Sequence, residues 1–174
     1  MSSRRVDFEI VVQPPQTVTI CSSIEPPVVA RTRDRRLLEA ASNQGNHVFA
    51  VAVLYASNMD PGDGTNISWS ASAAPYTENT SSSGSSSSSG RRRWLYFIFS
   101  GMTINTLGVF SLQIVVHVLR YSHNEWDQAD QVVSANTRHF TVLTQASSAD
   151  RPSSSERRIL RQLEAAQLYI RDAY

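Results

Sequence analysis

Arginine is the residue type in this sequence whose clustering could do chemistry. Arg31, Arg33, Arg35 and Arg36 crowd one stretch, and Arg91, Arg92 and Arg93 are consecutive. All sixteen basic side chains are arginine, set against fifteen acidic ones for a net charge of +1. A guanidinium keeps its charge and presents a planar fork of donors that suits phosphate oxygens and guanine edges. With so small a net charge, any hold on nucleic acid must come from local clusters and not from a field of the whole protein. The two arginine clusters are therefore the candidate DNA-contacting residues. The competing reading is two solvated loops.

No catalytic chemistry is encoded beside them. His47, His117, His123 and His139 stand apart from cysteine or carboxylate at ligand spacing, so each reads as a structural or surface histidine. Gly62 and Gly64 bracket Asp63 but precede serine-rich sequence instead of opening a helix, which makes a turn and not a phosphate loop. Asn124, Glu125, Asp127 and Asp130 cluster without the glycine and terminal glutamate of a calcium loop. A solvated loop between two strands fits them better. The expectation is a protein that binds another macromolecule, with no catalytic residues, metal, cofactor or small-molecule substrate.

The elements that must carry the arginines are mostly strands. Val6, Phe8, Ile10 and Val12 alternate with Asp7 and Glu9 at the period of a strand with one wet face. Gln13-Pro14-Pro15-Gln16 ends it, and Thr17 to Cys21 makes a short second strand. Pro26-Pro27 leads into Val28-Val29, and the arginines from 31 to 36 then fall on an exposed strand end and loop. His47 to Tyr55 is a continuous apolar run rich in β-branched residues, read as a central strand buried on both faces. Trp94 to Phe99 and the even positions Phe110 to Val118 are further strands, with Val132-Val133 and Phe140 to Leu143 after them. Phe97, Phe99, Phe110, Leu112 and Ile114 should share one core. Ser153 three residues before Glu156 is a capping box opening a helix, with Ile159, Leu163 and Ala166 on one face. Leu168-Tyr169-Ile170 looks like a last short strand.

The chain has 174 residues, 41% of them apolar and 18% charged. That is enough for one core, so residues 1–174 read as one domain. From about Thr77 to Gly90 serine and glycine dominate, and such a stretch cannot bury enough apolar area to offset its ordering entropy; it reads as a flexible insert. The one cysteine, Cys21, cannot form an internal disulfide, which points to a reducing compartment. Neither a signal peptide nor a run long enough to span a bilayer is visible, so secretion and membrane attachment are not expected. Turn signals between the runs favour an antiparallel sandwich over βαβ units.

Taken together, these segments resemble the velvet domain of fungal developmental regulators, nearly end to end. Val11-Val12-Gln13-Pro14-Pro15 followed by Cys21 is similar to the family's opening, and Pro26-Pro27 to its proline run. Val48 to Leu54 looks like its buried strand. The most specific stretch is Tyr96-Phe97-Ile98-Phe99, a connector from Ser100 to Thr106, and Gly108-Val109-Phe110-Ser111-Leu112. Phe140-Thr141-Val142, the C-terminal helix and Ile170-Arg171 are similar to the closing elements.

The resemblance implies an immunoglobulin-like, Rel-type antiparallel β-sandwich with a short C-terminal helix. It implies homodimers or heterodimers with another velvet protein, and a nuclear role in sporulation and secondary metabolism, with possible shuttling to the cytoplasm. A DNA-binding transcription regulator is the leading expectation, with the seven clustered arginines as its contacts. The alternative is a dimerisation partner or scaffold with no DNA binding of its own. Departures favour that alternative: Thr17 and Thr19 stand where the family has paired arginines, and Ser22-Ser23-Ile24-Glu25 is a shortened basic loop. Asn105 and Ser111 also replace basic positions.

Overall fold

A computed structural model describes residues 7–57, 70–73, 75–77, 93–122, 125–126, 129–146 and 151–168. The serine-rich stretch 78–90, the turn at Gly62 to Gly64, and Arg91, Arg92, His123, Asn124, Asp127, Tyr169 and Ile170 lie outside them.

The alternations read from the sequence become strands of two sheets. The smaller sheet has the order β1 (Phe8–Val12), β3 (Val28–Thr32), β7 (Leu95–Phe99) and β6 (Pro75–Thr77). The larger has the order β2 (Thr17–Thr19), β11 (Phe140–Leu143), β8 (Gly108–Ser122), β4 (Asn46–Ala56) and β5 (Ser70–Ala73). β9 (Glu125–Trp126) and β10 (Asp130–Asn136) also pair with β8. The chain is thus a mainly β sandwich with a C-terminal helix, as its patterns predict. Among the described residues the pairings are antiparallel except one: β2 runs parallel to β11, with Val18 opposite Val142. Glu125, read as part of a loop, sits opposite Ser122 in the short β8–β9 pairing, and Asp130 opens β10.

One apolar core lies between the sheets. Val28, Ala30, Leu95, Phe97 and Phe99 face it from the smaller sheet, and Val48, Ala50, Ala52, Leu54, Phe110, Leu112, Ile114, Val116 and Val118 from the larger. The five residues expected to share a core do so. Phe110 packs beside Phe140 with ring centroids 6.4 Å apart. Gly108, at φ +149°, is where the chain turns into β8, and a Cβ there would sit 3.3 Å from the Phe110 ring.

Several expectations are corrected. β4 is central in its sheet but buried on one face only: Val48, Ala50, Ala52 and Leu54 point into the core, whereas Phe49, Val51 and Val53 keep partial exposure. The strands covered on both sides are β3 and β7, because a helix lies on the outside of the smaller sheet. That helix, α2 (Ser154–Ala165), packs Leu160 and Leu163 with Val12, Val29 and Tyr96. Its inward face therefore includes Leu160, and Ala166 is exposed at its C-terminal end. Leu168, read as the start of a strand, lies in a bend instead.

A further correction concerns the first arginine cluster. Only Arg31 belongs to a strand; Arg33 and Asp34 form a short link, and Arg35 and Arg36 open a helix, α1 (Arg35–Ser42). Asp34 caps it by accepting the amides of Arg36 at 2.8 Å and Leu37 at 3.4 Å, which satisfies donors at the helix start. Leu37 enters the main core, so α1 is held by burial as well as by its cap. No helix among the described residues is long and apolar enough to cross a membrane.

Candidate macromolecular interface

The first arginine cluster is built around the end of β3. Pairing places Glu9 of β1 opposite Arg31, and Tyr96 of β7 opposite it on the other side. Side chains at directly opposed positions are close enough to interact. Glu9 uses this proximity: its Oε1 accepts from Arg31 Nε at 2.7 Å. Trp94, just before β7, lies under both neighbouring cations, with the Arg31 guanidinium carbon 4.0 Å and that of Arg33 5.5 Å from its ring. An indole face attracts a cation through its quadrupole.

Arg33 forms its own ion pair with Asp7. The backbone between them is fixed by Thr32, which is fully buried: its hydroxyl donates to the Asp7 carbonyl at 2.7 Å and accepts from the Asp34 amide at 3.0 Å. At the start of α1, Arg35 pairs with Glu39, four residues on, at 2.6 Å. Arg36 and Arg93 are exposed, and among the described residues neither takes part in an ion pair.

The cluster is therefore not a bare cationic patch. Arg31, Arg33, Arg35, Arg36 and Arg93 share this region with Asp7, Glu9, Asp34 and Glu39, and three of the arginines hold a carboxylate directly. The sequence reading named the arginines and missed their partners. Glu9 was visible as the wet position of the first strand and Glu39 as the acid four residues after Arg35. Asp7 and Trp94 come to the site only through the β1–β3 and β3–β7 pairings.

A second polar centre joins α2 to the sandwich. The Gln13 amide donates to Glu156 Oε1 at 3.0 Å, while Glu156 Oε2 accepts the Ser153 amide and hydroxyl, each at 2.7 Å. Gln13 Oε1 in turn accepts the Arg138 amide at 3.0 Å, and the Arg138 guanidinium donates twice to the Pro14 carbonyl, at 3.0 and 2.8 Å. Burial pushes the Glu156 carboxyl up, but the amide of Gln13, the hydroxyl and amide of Ser153 and the charge of Arg138 outweigh it, holding the group below its ordinary value. The capping box read from Ser153 and Glu156 is thus present, with an added role in docking.

The histidines do different things. His47 and His117 stack on the Phe49 ring at 5.4 and 5.3 Å, on the outward side of the larger sheet, and His139 is exposed. Among the described residues no group of three or more histidines, cysteines and carboxylates is placed to hold a metal ion.

No family model matches the chain, and no curated protein matches it. Among solved structures it is similar to AggA, the major subunit of aggregative adherence fimbriae type I from Escherichia coli, at 12% identity and a TM-score of 0.36. That likeness covers 82% of this chain and 98% of the fimbrial one, and bears on neither function nor partner.

Proposed function

We propose that this chain is a velvet-type regulatory domain that works as one half of a dimer and reaches DNA through its partner, acting in the nucleus on fungal development, sporulation and secondary metabolism. The order of motifs from Gln13-Pro14-Pro15 to Phe140-Thr141-Val142 supports the family. So does their position in two packed sheets, with Tyr96 to Phe99 paired to the strand entered at Pro26-Pro27.

One observation carries the choice of a partner over direct DNA contact: Arg31, Arg33 and Arg35 are already matched by Glu9, Asp7 and Glu39. DNA affinity rests on cations that neutralise phosphates and release their counterions. A carboxylate beside a guanidinium offsets its charge and repels the phosphate, so these arginines contribute less to phosphate neutralisation than free ones. Thr17 and Thr19 supply no replacement charge, and neither does the Ser22 to Ile24 segment. The second reading, direct DNA binding, is favoured by Arg36 and Arg93, which are exposed and outside the ion pairs.

Titrating a fluorescent DNA duplex with the chain, with a velvet partner, and with the two together separates these readings. The first expects DNA to be retained by the pair and not by the chain alone. Retention by the chain alone, lost on changing Arg36 and Arg93 to alanine, supports the second. Failure to pair with any velvet protein contradicts the dimer reading.

A further inference from the structure

α2 rests on the smaller sheet by one side only. Leu160 and Leu163 pack with Val12, Val29 and Tyr96, and Glu156 reaches inward to the Gln13 amide. With 3.6 residues per turn these three fix the inward side, and Arg157, Arg158 and Arg161 fall on the side opposite, where all three are exposed. Arg151, just ahead of the helix, is exposed as well. Among the described residues none of these four arginines forms an ion pair, whereas Arg31, Arg33 and Arg35 each hold a carboxylate. Helix stability does not explain the placement. Arg157 and Arg161 stand four residues apart, a spacing at which like charges repel. The last turn, where the helix dipole favours a cation, carries no basic residue.

The chemistry of the face identifies what it meets. Beside the arginines stand Ser154, Gln162 and Ala165, and no large apolar side chain of α2 is exposed. A protein interface has an apolar centre with its charges at the rim, and a helix that lies on a membrane needs an open apolar side. α2 offers neither, because its apolar side is buried against the sheet. Protein–DNA interfaces are polar and strongly positive, and guanidinium forks without carboxylate partners suit a row of phosphates.

We propose that the outward face of α2 is a contact surface for the DNA phosphate backbone, used when this chain and its partner hold a duplex together. This rests on the dimer reading above and adds to it the face through which this chain touches the DNA. Four arginines fall short of the roughly 6–10 phosphate contacts of a strongly salt-dependent binder, so the chain alone holds DNA too weakly to measure. The contacts count once the partner has brought the duplex close, which makes their formation intramolecular.

Affinity for a random-sequence DNA duplex over a range of salt concentrations tests it, with the full chain paired to a velvet protein. The parent is set beside a chain with Arg157→Ala, Arg158→Ala and Arg161→Ala combined and one with the same three changed to lysine. Circular dichroism establishes that each is folded, and sedimentation that each still pairs. The alanine chain should bind more weakly, with a slope of log K against log salt shallower by about 0.9 for each phosphate contact removed. The lysine chain, which keeps the charges, should keep the parent's slope. A folded, paired alanine chain with the parent's slope overturns the proposal and leaves the dimer reading in place. Loss of pairing in the alanine chain overturns it too, since the arginines then meet an acidic protein surface and not DNA. A parent pair that binds no DNA overturns the proposal and the reading above together.

Discussion

Glu156, near the start of α2, accepts the main-chain amide of Gln13 at 3.0 Å across a separation of 143 residues. One carboxylate thus closes the helix cap and ties the helix to the end of β1. Glu156→Ala removes both bonds and leaves the Gln13 donor without its partner, at a cost of about 1–3 kcal/mol. Urea unfolding at neutral pH measures it. Glu156→Gln should cost less, since an amide oxygen still accepts from Gln13.

The same carboxylate gives a pH dependence. Its folded pKa lies below the ordinary 4.5, so its contribution to stability is complete above that value and is lost as pH falls through the folded pKa. The stability gap between parent and Glu156→Gln should narrow on acidification. A gap that stays constant down to the acid limit of folding contradicts the role given to the ionised carboxylate.

Phe110 is 4% exposed, in contact with the core and beside Phe140. Phe110→Ala should destabilise the fold by about 3–5 kcal/mol, the range for emptying a large aromatic site. Val109→Ala, next to it but facing out, should cost far less. Paired denaturation curves check the register of β8, because a shift by one residue would exchange the two outcomes.

Thr32 and Arg35 make a second contrast, in the arginine cluster itself. Thr32→Val keeps the shape but leaves the part-buried Asp7 carbonyl and Asp34 amide without their partner, costing about 1 kcal/mol. Arg35→Ala breaks a pair whose side chains are 90% and 62% exposed, and should leave the melting temperature unchanged. Calorimetry on the two variants distinguishes structural from surface parts of the cluster.

Strand alternation was enough to place β1 and β8 and the core positions of β8, because period-two patterning reports directly which side is buried, and β7 was legible from its run of aromatic and apolar residues. The helix α2 was legible from Ser153 and Glu156 for a similar reason: both halves of its cap lie within one turn. α1 was missed although Asp34 precedes Leu37 and Leu38 at helical spacing, since four arginines within a few residues drew the reading towards a loop. The double burial of β3 and β7 depends on α2, whose docking joins residues far apart in sequence. For the same reason Arg31 and Arg33 could be named as candidates but not recognised as paired with Glu9 and Asp7.

The salt dependence of DNA binding tests the central claim most directly. Equilibrium affinity for a DNA duplex is measured at several salt concentrations for the chain alone, for the chain with a velvet protein as the proposed partner, and for Arg33→Ala, Arg35→Ala, Arg36→Ala combined. The account predicts no measurable binding by the chain alone, and a slope of log K against log salt for the pair that the triple substitution leaves unchanged. Binding by the chain alone, with a slope that flattens by about 0.9 for each phosphate contact the substitutions remove, would contradict it.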